Sequence, residues 1–193
     1  MTVQNPAIVD NVFVSPRACG ECDACCHLYA IADLQKPAHV LCQHYAAGVG
    51  CSIHASKPDS CRGFQCLWTF AAPLDERWRP DRCRFVMRPG PAEEVVIDVF
   101  PAAPGAWKRE PFFSQIKGWS LRQGPGPHRM VIVRDGGRVA VVFPEGEVDL
   151  GPEQLNTPIQ SGYVFRNGRN QPYAHYGTNP DPPPAPPRPG QPR

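Results

Sequence analysis

CGECDACC, residues 19–26, places four thiols within eight positions, and the last two, Cys25 and Cys26, are neighbours. Cys19-x2-Cys22 is a knuckle: two thiols at this spacing can converge on one metal while N–H groups of the turn hydrogen-bond to the sulfurs. Cys22-x2-Cys25 repeats the spacing. One two-residue gap is a weak signal. Overlapping gaps closed by a vicinal pair are a strong one.

Outward from this stretch, Cys42, Cys51, Cys61 and Cys66 follow in HVLCQHYAAGVGCSIHASKPDSCRGFQCLW, residues 39–68. Glycine and proline punctuate the run as they do in loops that bend around a site. Its few apolar side chains repeat with no period, so it needs a source of folding energy other than a core, and a structural metal supplies one. The chain has nine cysteines in all. An odd count, with no basic-then-apolar export signal at the N-terminus, argues against a disulfide framework. Cys25 and Cys26 bridge each other only with strain, because adjacent Cα atoms lie closer than disulfide geometry prefers. Burial as small hydrophobes accounts for one or two thiols, Cys83 first among them, but not for the spacing of the rest.

The pattern CxxCxxCC, then Cys42, then Gly50-Cys51-Ser52-Ile53, Lys57-Pro58, Cys61-Arg62-Gly63-Phe64 and Cys66, resembles the YkgJ-type cysteine-cluster family, described as a zinc- or iron-chelating domain. The resemblance covers residues 19–68 and extends weakly into GGRVAVVFPEGEVDLG, residues 136–151. It departs at His54 and Lys57, where the family often has Tyr and Arg; neither is a ligand position. It implies metal binding by Cys19, Cys22, Cys25, Cys26, Cys42, Cys51, Cys61 and Cys66. Larger proteins with this cluster include flagellin lysine N-methylases, which implies that the module can sit in an enzyme.

The residues leave the metal open. All-thiolate sites suit zinc, iron–sulfur clusters and Cu(I). Zinc takes four ligands per ion, so eight thiols could fill two closed sites. A [4Fe–4S] cluster also takes four, and C-x2-C-x2-C is the spacing of bacterial ferredoxins. The C-x3-C-x2-C order of radical S-adenosylmethionine enzymes is absent, as are a glycine-rich phosphate loop and G-x-S-x-G. His27, His44 and His54 stand close to thiols in sequence, as substitute ligands, donors to sulfur or plain surface residues. His39, His128 and His175 default to surface or core. Arg17, Arg62 and Arg84 flank cysteines, where positive charge favours thiolates; Arg62, inside the Cys-Arg-x-Phe match, is the strongest site candidate.

Beyond the thiols, residues 71–166 read as a β-rich layer. CRFVMRPG (83–90) and EEVVIDVFP (93–101) predict a hairpin, with Cys83 a core thiol at the start of its first strand. Asp135-Gly136-Gly137 between two β-branched runs predicts another. Phe112, Ile116, Trp119 and Gln123 predict an amphipathic helix over roughly 105–122. LDERWRPDR (74–82) reads as a helical turn or loop, and 8–14 as a short strand. The expected fold is α+β: a cysteine-rich, metal-organised loop region (18–70) packed on a small, mainly antiparallel sheet with one main helix. Residues 1–166 form this single domain, and 167–193, ending in the proline-rich run, are a disordered tail.

Twenty basic against 18 acidic residues give a net charge of +2, too little to argue for nucleic acid. No run approaches the roughly 18 apolar residues of a membrane helix. The expected location is the cytoplasm, where thiols stay reduced. The expected function is metal binding, with an unknown protein partner. The alternatives are an iron–sulfur enzyme or enzyme partner in protein modification, and a zinc-ribbon nucleic-acid binder.

Overall fold

The computed structural model describes residues 17–64, 66–90, 94–120 and 130–179. The expected strand at 8–14, His128 and the proline-rich run beyond Asn179 lie outside the described residues. In chain order the elements are α1 (Ala24–Leu28), β1 (Tyr45–Ala46), β2 (Gly50–Cys51), α2 (Asp59–Arg62), α3 (Leu67–Phe70), α4 (Pro80–Cys83), β3 (Phe85–Pro89), β4 (Val95–Val99), α5 (Phe112–Trp119), β5 (Val131–Asp135), β6 (Arg138–Phe143), β7 (Gly146–Pro152), β8 (Ile159–Arg166) and β9 (Arg169–Tyr176). Helices and sheets coexist, so the chain is α+β. No helix among the described residues is long and apolar enough to cross a membrane.

The main sheet has the order β3-β4-β5-β6-β7. Three of its pairings are antiparallel and one, β4 with β5, is parallel. Both expected hairpins form. Gly136 and Gly137 turn β5 into β6 at φ of 58° and 76°, a conformation that costs glycine little. The parallel pair requires a crossover, and α5 lies within it.

Period-two alternation gives the sheet two apolar faces. Phe85, Met87, Ile97 and Val133 pack with Ile116 and Trp119 of α5 on one side. Trp78 fills this core, its ring 4.6 Å from that of Trp119 and 4.8 Å from that of Phe112. On the other side, Val86 packs with Phe100 and with Ala24 and Leu28 of α1. α1, which carries Cys25 and Cys26, therefore rides on the sheet face opposite α5.

Two expectations are corrected. The main helix starts at Phe112 rather than near 105. Pro111 lacks an N–H and disfavours helical backbone in the residue before it, so only a short 3-10 turn, Ala106–Lys108, forms upstream. The tail expected from 167 instead begins as structure: β9 pairs with β8 from Arg166↔Arg169 to Ile159↔Tyr176. Asn167 and Gly168 make its turn, at φ of 52° and 75°. Polar, half-exposed strands hide a hairpin whose stability comes from pairing and from Ala174 packing on Val141 and Phe143.

Candidate metal centre

The knuckle forms locally. Cys22 N–H donates to Cys19 O (3.1 Å), with Gly20 at φ 55°, and α1 then carries Cys25 and Cys26. A second segment closes on it. Gly50, at φ 88°, lies so near the knuckle that a Cβ there would stand 2.0 Å from Gly20 O. Only glycine permits this approach, and it delivers Cys51 to the site. Tyr45 Oη donates to Glu21 O (3.0 Å) and fixes the same contact. Cys42 N–H donates to Cys26 O (3.0 Å). Ser60 Oγ donates to Asp33 Oδ2 (2.8 Å), which pins α2 and with it Cys61. Cys66 caps α3 and packs against both apolar clusters.

Two cavities open among these thiols. The larger, about 400 Å³, has Cys19, Cys22, Cys25, Cys26, Cys51 and Cys61 in its wall. The smaller, about 20 Å³, is bounded by Cys19, Cys22, Cys25 and Cys66. Cys42 is buried behind Cys26. Cys83 lines neither cavity; it is fully buried in the core that Cys66 packs against, with its Sγ donating to Phe85 O (3.1 Å). It occupies the end of α4, two residues before β3, and is a core thiol.

Burial pushes the Cys22 thiol up to about 11, with the backbone at Ala24 and Asp81 opposing the shift. Burial likewise pushes Cys66 up to about 12, with the backbone at Trp68 and Thr69 opposing it. Cys25 donates to the Cys26 sulfur, so its own thiol is held protonated and Cys26 is pulled down toward thiolate. The Cys61 thiol is raised by burial, with the charges of Cys26, Cys42 and Cys51 adding to the effect.

One functional side chain escaped sequence reading. Lys36 is buried, 8% exposed, and its ammonium donates to Tyr29 O (2.5 Å), Pro37 O (2.9 Å) and His27 O (3.4 Å). Burial pushes its pKa down, while the thiolate charges of Cys42, Cys26, Cys25 and Cys61 oppose that shift. A buried ammonium needs compensation, and thiolates supply it. No local pattern marks Lys36; only the fold brings it there.

The arginines and histidines are mostly structural. Arg17 Nη1 donates to Trp68 O (2.8 Å) and Leu74 O (2.5 Å). Arg62 binds Asp59 and Lys57 O, clamping its own turn. Arg84 lies 4.4 Å from the Phe100 ring centroid. His27 packs edge-on to Phe100, and His44 lies within 3.4 Å of Gln43. Among the described histidines, His54 alone lines the larger cavity, 3.4 Å from Lys57 Nζ.

The thiols share neighbourhoods without converging. Among the described residues, no three His, Cys, Asp or Glu side chains stand in an arrangement that could hold a metal ion as they are. The donor set nevertheless fits a soft metal: it is all sulfur. Comparison with protein-family profiles, with characterised proteins and with solved structures finds no match for this chain.

Proposed function

We propose that the protein binds zinc or iron through Cys19, Cys22, Cys25, Cys26, Cys42, Cys51, Cys61 and Cys66, and that the metal ties the loops of residues 19–66 together. One observation carries this reading. Seven of the eight thiols border two adjoining cavities, and Cys42 is buried next to them, its N–H on Cys26 O, with the buried ammonium of Lys36 close by. The resemblance to the YkgJ-type family points the same way. All nine thiols are free, which suits a reducing compartment such as the cytoplasm.

Bound metal would take up the thiolate charge and supply folding energy that the loops lack. The chain's own residues prepare for this. Gly50 holds the Cys51 segment against the knuckle, and Lys36 opposes the build-up of negative charge.

Metal content and visible absorption of protein purified without oxygen test the proposal. Whole-number zinc without colour fits a structural clasp. Iron with acid-labile sulfide fits a cluster. In either case Cys22→Ser and Cys25→Ser lose metal and fold stability; unchanged content in both variants sinks the proposal.

The larger cavity favours a second reading, an iron–sulfur enzyme or enzyme partner. It has room for a small molecule beside the thiols, with Tyr29, Arg88 and Arg134 in its wall. Zinc as the sole metal removes this reading.

A further inference from the structure

We infer that the eight thiols divide into two centres of four, and that Cys19, Cys22, Cys25 and Cys66 form a closed site for a single ion. The inference rests on the metal-binding reading above and assigns its ligands.

Three observations draw the division. First, the smaller cavity has four thiols in its wall, and they are these four. Second, backbone bonds shape both chain segments that border it: Cys22 N–H donates to Cys19 O (3.1 Å), and Thr69 N–H donates to Cys66 O (3.0 Å). Third, the remaining thiols form their own neighbourhood. Cys26 and Cys42 are joined through Cys42 N–H to Cys26 O (3.0 Å), and Cys51 and Cys61 line the larger cavity together with Cys26.

Cys25 and Cys26, adjacent in sequence, thus part company. Successive helical residues point about 100° apart, so a vicinal pair on α1 naturally serves two centres. This explains a doubled cysteine where a single site has no use for one.

Size decides what the first centre holds. A cavity of about 20 Å³ admits one water-sized body. A [4Fe–4S] cube brings four irons and four sulfides into the same space. Four thiolates closing on one ion, with no open position, is the arrangement of structural zinc. The ferredoxin-like triple Cys19, Cys22 and Cys25 is therefore a zinc-type clasp completed by Cys66. The larger cavity sets no such limit on the second centre.

The test loads the full-length, reduced protein with NMR-active cadmium as a surrogate for zinc and reads which cysteine β-protons couple to each cadmium. The expected result is one cadmium coupled to Cys19, Cys22, Cys25 and Cys66, and another coupled to members of the second set only. A cadmium coupled to Cys66 together with Cys42, Cys51 or Cys61 overturns the division but leaves metal binding intact. Failure to bind cadmium, zinc or iron overturns both. On natively loaded protein, Cys66→Ser should lower the metal content by about one ion and leave acid-labile sulfide unchanged. A fall in sulfide overturns the single-ion assignment.

Discussion

Gly50 does more for the site than any charged residue near it. Its φ of 88° and its approach to Gly20 O both exclude a side chain. Gly50→Ala should therefore destabilise the loaded protein by about 2 kcal/mol or more and weaken metal retention, read by chelator competition and denaturant titration. Cys83 illustrates the opposite case, a thiol with no part in the site. Burial raises it from 9.0 to about 12. Its neutral form is favoured in the folded chain, so its contribution to stability is complete below about 9 and is lost as pH rises from there toward 12. Denaturant midpoints should fall across that window, and Cys83→Ser, which cannot ionise there, should show a smaller fall.

At the scale of elements, local signals decide what sequence reading can see. Asp135-Gly136-Gly137 and Pro89-Gly90 announce their hairpins because turn chemistry is written in adjacent residues. Asn167-Gly168 is the same kind of signal, but it stands between polar strands with little burial to mark them. The helix was legible in its apolar face and misjudged in its start, where Pro111 outweighs the upstream pattern. Lys36 ties the end of α1 to the bridge between Ile31 and Lys36 by donating to carbonyls on both segments. Lys36→Met leaves those carbonyls without their donor and removes the charge beside the second thiol set. It should cost about 1–3 kcal/mol and weaken metal binding there, while the centre containing Cys66 stays loaded; site-resolved cadmium spectra distinguish the two.

For the whole molecule, the sheet separates two jobs. The α5 face builds the core, and the opposite face seats α1 with its two thiols. Ile116→Ala, in a side chain with no exposed surface, should cost about 2–5 kcal/mol without changing metal stoichiometry below the melting transition. Tyr29 ties the α1 side to the sheet: its hydroxyl donates to Asp98 Oδ2 (2.7 Å), which also accepts from Arg88 Nε (2.8 Å). Tyr29→Phe leaves Asp98 paired with Arg88, so the expected loss is about 1 kcal/mol, seen in denaturant titration of the loaded protein. The sequence named the eight candidate ligands, yet it could not say which of them meet. That depends on contacts between segments far apart, such as Cys42 N–H on Cys26 O and Tyr45 Oη on Glu21 O, and on a parallel strand pairing that leaves no local trace.

Cys66 lies against the sheet core and in the wall of the small cavity at once. On the proposed assignment, releasing its ion frees a side chain on which Trp68 and the core around it rest. Metal loss and loosening of the core then become one event, and the folded fraction follows free metal by mass action, gaining about 2.7 kcal/mol when the ion stands a hundredfold above its dissociation constant. The lifetime of the chain in a cell would rise and fall with metal supply, proteases removing copies that go unfilled.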